Sequence, residues 1–170
     1  MELKDYIAIE LMGQERNMSR VLDNLTQQEI AWRPSCACNS IGLILFHVAR
    51  ADDSFLLAKV MGQRELWESE KWCEKLCLPF SESGSQYSAE QVNAFSPPPL
   101  KDLMAYSRAV RSRIATSIKD MKSDQFDKKI TLPFFGEMTI AAVVAIMIDH
   151  ASQHIGEMSY LRGLQRGINK

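Results

Sequence analysis

No apolar run in this sequence is long enough to cross a bilayer. The longest, residues 140–148, falls well short of the about 20 residues that a helical span needs. An excess of one charge is also missing: 20 Lys and Arg stand against 21 Asp and Glu, a net charge of −1. That balance excludes the basic footprint of a nucleic-acid-binding surface. Met1-Glu2-Leu3-Lys4-Asp5 is charged and leads into an amphipathic stretch, so no signal peptide is read there and a cytoplasmic location is expected. Cysteine is sparse. Cys36, Cys38, Cys73 and Cys77 lack the paired Cys-x-x-Cys spacing of zinc sites, and without a secretory signal they read as reduced thiols. A structural zinc site from all four is the lesser reading, and a reactive Cys36 or Cys38 just ahead of a helix is another. No His-Glu-x-x-His is present, which excludes a zincin, and no Glu-x-x-His, which excludes a ferritin-like di-iron site.

Histidine is scarcer still, with three residues, and their placement carries information. His150 and His154 lie four apart in an apolar helical stretch, and His47 lies about a hundred residues earlier in another. Residues i and i+4 share a helix face with Cβ atoms about 6 Å apart, so two imidazoles can converge on one ion. A third from a neighbouring helix would leave coordination positions open for water or substrate. A histidine on an apolar helix face is more often a core residue with one satisfied hydrogen bond, and that reading stands beside the metal one. A bis-His haem site would leave one histidine unused.

At 170 residues, 46% apolar and 24% charged, the chain suits one soluble domain with a sizeable core, residues 1–170. Helical spacing runs from Leu3 to about Leu25. Thr26-Gln27-Gln28-Glu29 is a capping-box pattern ended by Pro34. A second long helix starts at an Asn39 or Ser40 cap and runs to about Met61, with Gly62 as its stop. Residues 62–98 form a long connection with Trp67, Trp72, Phe80 and a Ser/Gly-rich patch, longer than a bundle needs and the expected lid or pocket wall. Ser88-Ala89-Glu90-Gln91 opens a short helix there. After Pro97-Pro98-Pro99 a third long helix runs from about Leu100 to Lys122. Ile130-Thr131-Leu132-Pro133-Phe134-Phe135-Gly136-Glu137-Met138 predicts a small hairpin. A fourth helix, from about Thr139 to Gln165, is apolar nearly all round at its start and is expected to be the most buried. The fold class is all-α, a four-helix bundle with a long irregular segment between its second and third helices.

Three pieces of sequence carry a resemblance to a known family. They are Trp32-Arg33-Pro34 with Asn39-Ser40-Ile41-Gly42 and His47, then Asp149-His150-Ala151-Ser152-Gln153-His154-Ile155-Gly156-Glu157, and the tail Tyr160-Leu161-Arg162-Gly163-Leu164. With helix order and spacing they make the chain resemble the DinB-like (YfiT-like) superfamily of metal-dependent enzymes over essentially its whole length. The resemblance implies a four-helix bundle, a homodimer, and one divalent metal ion on His47, His150 and His154. Zinc or nickel is expected, with manganese or iron as alternatives. It further implies a small-molecule substrate and a low-molecular-weight thiol as partner, because family members of known activity include thiol-dependent transferases and isomerases. The expected function is a thiol S-transferase acting on a small electrophile. A hydrolase on the same three-His site, or a non-catalytic metal-binding stress-response module, is the alternative, so catalysis itself stays open. Relatives often carry Gln where this chain has Glu157, which shares the face of His150 and His154. Glu157 is a candidate fourth ligand, ligand partner or base, or a surface carboxylate paired with Arg162. Arg50, one turn beyond His47, is a candidate to hold a substrate carboxylate, or else a rim salt bridge. Asp53 and Asp149 are further candidate helpers.

Overall fold

The computed structural model describes residues 1–133 and 135–167. Helix α1, Leu3–Leu22, buries Ile7, Leu11, Gln14, Met18, Val21 and Leu22, the spacing of an amphipathic helix. Thr26 and Glu29 form the expected capping box at the start of the short α2, Gln27–Ala31. Helix α3 spans Ile41–Ala51 and is capped by Ser40, whose Oγ accepts from the Leu43 N–H. It continues as a π-helical segment, Asp52–Val60, until Gly62 turns the chain at φ 63°. Short helices α4 (Leu66–Ser69), α5 (Trp72–Lys75) and α6 (Ala89–Ala94) interrupt the long connection. Helix α7, Leu100–Asp120, leads through a 3-10 turn, Ser123–Gln125, into the predicted hairpin. Its strands β1 (Lys129–Leu132) and β2 (Gly136–Thr139) pair antiparallel, Lys129 opposite Thr139 and Leu132 opposite Gly136. Phe134, part of the predicted hairpin, lies outside the described residues. Helix α8, Ile140–Arg166, is capped by Thr139, whose Oγ1 accepts from the Ala142 N–H.

The four long helices share one core: α1 packs on α7 and α8, and α3 packs on the same two. Because α3 and α8 touch, residues about a hundred positions apart in sequence meet across their seam.

Helix α8 is not the most buried, contrary to its apolar start; α3 is. Ten of the eleven α3 residues are buried, against eight of the 27 in α8. The cause is cover. The 62–98 connection folds across α3, stacking Phe95 on Phe46 and tilting Trp67 against the same ring. It brings Pro97 so close to Gly42 that a Cβ there would stand 2.5 Å from the Pro97 Cβ. Among the described residues nothing comparable covers the outer face of α8, where Tyr160 and Leu164 are exposed. Among the described residues no helix is long and apolar enough to cross a membrane.

Candidate metal centre

The seam between α3 and α8 brings all three histidines together. The Nε2 of His150 lies 3.0 Å from that of His47 and 3.2 Å from that of His154. The rings meet edge to face, with centroids 4.5–5.0 Å apart and interplanar angles of 65°, 83° and 84°. The Nε2 atoms of His47 and His154 thus both meet that of His150.

Partners on the far side of two rings fix their tautomers. The Nδ1 of His47 is 2.8 Å from the Gly84 carbonyl oxygen, which can only accept, so Nδ1 carries the proton and Nε2 a lone pair. Ser85 Oγ is 3.2 Å from the same Nδ1. The Nδ1 of His154 is 2.7 Å from Glu157 Oε2, which fixes the same tautomer there. Two lone pairs thus point into the centre. The third ring differs, because His150 Nδ1 is buried with no hydrogen-bond partner among the described residues.

Burial keeps His47 and His150 uncharged. It holds His150 down to about 4, with His154 and His47 adding to the effect. Burial also holds His47 below the ordinary imidazole value, against the raising effect of the Gly84 carbonyl. At neutral pH these two rings offer lone pairs rather than charge.

The donor set fits a divalent cation. Ligand nitrogens about 2.0–2.1 Å from one ion, at tetrahedral or octahedral angles, stand about 3 Å from one another. The two contacts to His150 Nε2, at 3.0 and 3.2 Å, have that spacing. One donor atom from each residue lies within 4.8 Å of the other two.

Beside the trio opens a cleft of about 170 Å³. His47 and His154 line it together with the polar Asn39, Ser85, Gln86 and Tyr87 and the apolar Leu43, Ile44 and Val92. Among the described residues no carboxylate, ammonium or guanidinium group lines it.

The candidate helpers divide. Glu157 sits at the site on the back of His154, while Arg162, its suggested surface partner, donates instead to the Val21 and Asp23 carbonyls. Arg50 is buried outside the cleft. Its guanidinium lies over the Trp67 ring and donates to Asp53, Glu65, Tyr106 and the Glu82 carbonyl. Asp53, fully buried, accepts from the Leu66 and Trp67 N–H groups and from Tyr106. Asp149 is exposed and accepts from Gln153 on its own helix. The 62–98 connection does form the cleft wall, but through residues 84–87 and Val92. Trp67 and Trp72 pack on Tyr106 instead, and Phe80 is exposed. The four cysteines are free, with Cys73 buried and Cys36 and Cys77 exposed.

Sequence reasoning missed the Gly84 carbonyl, since a backbone acceptor has no side-chain signature. Its trace was a glycine inside the Ser/Gly-rich patch. Gly84 holds φ 71°, and a Cβ there would stand 3.2 Å from the Phe46 ring and 3.3 Å from Arg50.

The model of the DinB superfamily matches residues 10–158 of the chain. A solved structure described as the conserved protein of locus from Enterococcus faecalis is similar with a TM-score of 0.85 and 21% sequence identity. The match covers 96% of this chain and 97% of that one, and shows a shared fold. No curated protein matches the chain.

Proposed function

The chain belongs to the DinB superfamily, and on that premise we propose a four-helix-bundle metalloprotein that holds one divalent ion, zinc or nickel, on His47, His150 and His154 and catalyses S-transfer from a low-molecular-weight thiol to a small electrophile. The observation that carries it is the convergence of three Nε2 atoms at the α3–α8 seam, with two far-side nitrogens tied to acceptors. An ion bound there supplies positive charge that lowers the pKa of a thiol or water placed on it. In the transfer the sulfur forms a bond to the electrophilic carbon, the thiol proton passes to solvent, and the leaving group departs with the bonding electron pair.

The protein's own residues then have defined tasks. Gly84 and Glu157 keep the lone pairs of His47 and His154 aimed inward. Leu43, Ile44 and Val92 exclude water from one side of the cleft. The amides of Asn39 and Gln86 and the Ser85 hydroxyl offer hydrogen bonds without charge, while the Tyr87 hydroxyl donates to Glu82; that lining suits an uncharged polar substrate. Arg50 serves structure, because its donors are spent inside the protein. The four free thiols suit the reducing cytoplasm.

Two measurements test the reading. Metal analysis of the purified chain is expected to give close to one divalent ion per chain, and His150→Ala is expected to lose it; unchanged metal content in that variant sinks the three-His site. A panel of cellular thiols with a model electrophile should then show metal-dependent conjugation. Thiol-independent ester cleavage would move the chain to the hydrolases, and metal-dependent thermal stabilisation without turnover would make it a binding module.

A further inference from the structure

The Gly84 carbonyl aims His47, and its own position needs a cause. Among the described residues no backbone–backbone hydrogen bond involves residues 83–87. The same stretch holds two left-handed residues, Gly84 at φ 71° and Gln86 at φ 57°. Left-handed geometry in a residue other than glycine is strained and persists where the surroundings over-determine it. Side chains must therefore set the path of this loop.

Glu82 has the contacts to do so. It is half-buried, and its Oε1 accepts twice, from the Gly84 N–H at 3.3 Å and from the Tyr87 O–H at 2.5 Å. One carboxylate oxygen thus ties the middle of the loop to its end. It also restrains a glycine, the residue with the most backbone freedom to lose. Ser83 Oγ, which accepts from the Ser85 N–H, adds a tie internal to the loop.

Glu82 is itself anchored. Its carbonyl accepts from Arg50 Nε at 3.3 Å, and its N–H donates to the Pro79 carbonyl at 2.9 Å. Arg50 lies on α3 one turn beyond His47. At the other end of the loop, the Tyr87 ring packs on Phe95, which stacks on Phe46 of α3. Both ends are thus held against the helix that carries His47. Between them the Gly84 carbonyl reaches His47 Nδ1 at 2.8 Å and Ser85 Oγ reaches it at 3.2 Å.

We propose that Glu82 is a positioning residue for His47: it clasps the 82–87 loop so that the Gly84 carbonyl holds the ring in its Nδ1–H tautomer with the Nε2 lone pair turned to His150. Glu82 acts through Gly84 and Tyr87 and is absent from the cleft lining. The inference rests on the three-histidine reading of the site, but its first readout needs no metal.

Nitrogen-15 NMR of the imidazole rings tests it at neutral pH in the full chain stripped of metal, whose helices share an apolar core apart from the histidines. His47 is expected as the Nδ1–H tautomer. Glu82→Ala should mix the two tautomers, whereas Glu82→Gln, which keeps an acceptor oxygen, should preserve the wild-type signature. In a zinc competition titration Glu82→Ala should bind about tenfold more weakly, the low end of the loss typical for removing a ligand's hydrogen-bond partner, and Glu82→Gln should bind as wild type does. A brace serving stability alone would lower the urea midpoint of Glu82→Ala and leave tautomer and affinity unmoved. Should Glu82→Ala not fold, Tyr87→Phe removes one of the two donors to the same oxygen and should mix the tautomers in the same sense, to a lesser degree. An Nε2–H tautomer in wild type, or an Nδ1–H signature unchanged in the folded variants, would overturn the proposal. Mixed tautomers in Glu82→Ala with no zinc bound by any form, wild type included, would uphold the positioning of His47 and sink the metal reading instead.

Discussion

Glu157 reaches the proposed metal only through another side chain. Its carboxylate accepts the Nδ1–H of His154 and so sets which nitrogen faces the centre. Removing such a partner typically weakens metal binding about 10–100-fold. Glu157→Ala should show that loss in a metal competition titration, with little change in thermal stability, because Glu157 is exposed. Gly84 does the same for His47 by a backbone route, with a different cost. An alanine there must adopt φ 71° and push on Phe46 and Arg50. Gly84→Ala should therefore cost about 1–3 kcal/mol of stability and weaken metal binding as well, readable by denaturant titration and the same competition assay. At this scale the sequence was most legible where chemistry resides in side chains. Three histidines in two apolar helices identified the trio, and the i, i+7 relation of His150 to Glu157 placed the carboxylate on the right face. The far-side carbonyl and the neutral cleft lining come from a loop whose path no local pattern encodes.

Between residues and fold stands the π-helical segment that follows α3. It carries two adjacent aspartates, both buried and turned to different neighbours. Asp52 meets Arg111 of α7 at 3.3 Å, while Asp53 caps the first turn of α4 through the Leu66 and Trp67 N–H groups, each at 2.8 Å. Asp53 also gathers Tyr106 at 2.7 Å and Arg50 at 3.4 Å. One carboxylate thus joins α3, α4 and α7 and fixes where the 62–98 connection begins. Asp53→Ala would leave the Tyr106 hydroxyl and two buried N–H groups without their acceptor, while Arg50 keeps Glu65 at 2.9 Å. Each buried polar group left unsatisfied costs about 1–3 kcal/mol, so the variant should unfold at much lower denaturant and expose the connection to protease first. The long helices and the capping boxes at Thr26 and Ser88 were readable from spacing and caps. The π winding was not, because an apolar pattern near 3.6 residues per turn cannot register the extra residue. Helices α4 and α5 were not readable either: they are four residues each and are held by Asp53 and by packing on Tyr106 rather than by their own sequence. Relative burial failed for a similar reason, since the cover over α3 comes from a segment distant in sequence.

At the scale of the molecule, two carboxylates with opposite shifts shape the acid response. Glu29 anchors the end of α8 to the α1–α2 turn by accepting from the Arg166 guanidinium, which also reaches the Asn24 carbonyl at 2.7 Å. The Arg166 hydrogen bond, together with Thr26, holds Glu29 at about 2, against 4.5 for the free group. The folded state thus favours its ionised form. The stability Glu29 contributes is complete above about pH 4.5 and is lost as pH falls towards 2. Asp52 behaves in reverse. Burial raises it to about 6 from 3.8, with Asp53 adding to the rise and Arg111 opposing it. The folded state favours its protonated form, so its contribution is complete below about pH 3.8 and is lost as pH rises through 6. Urea midpoints measured from pH 2 to pH 7 should separate the two. Relative to wild type, Glu29→Gln removes stability above pH 4.5 and converges with wild type towards pH 2. Asp52→Asn differs from wild type by an amount that changes chiefly between pH 3.8 and 6, with the wild type losing ground as its own Asp52 ionises in the core. Parallel curves for either variant across its window would show that the group titrates alike in the folded and unfolded chain, and would remove the Arg166 anchor or the buried Asp52 from the account of acid stability.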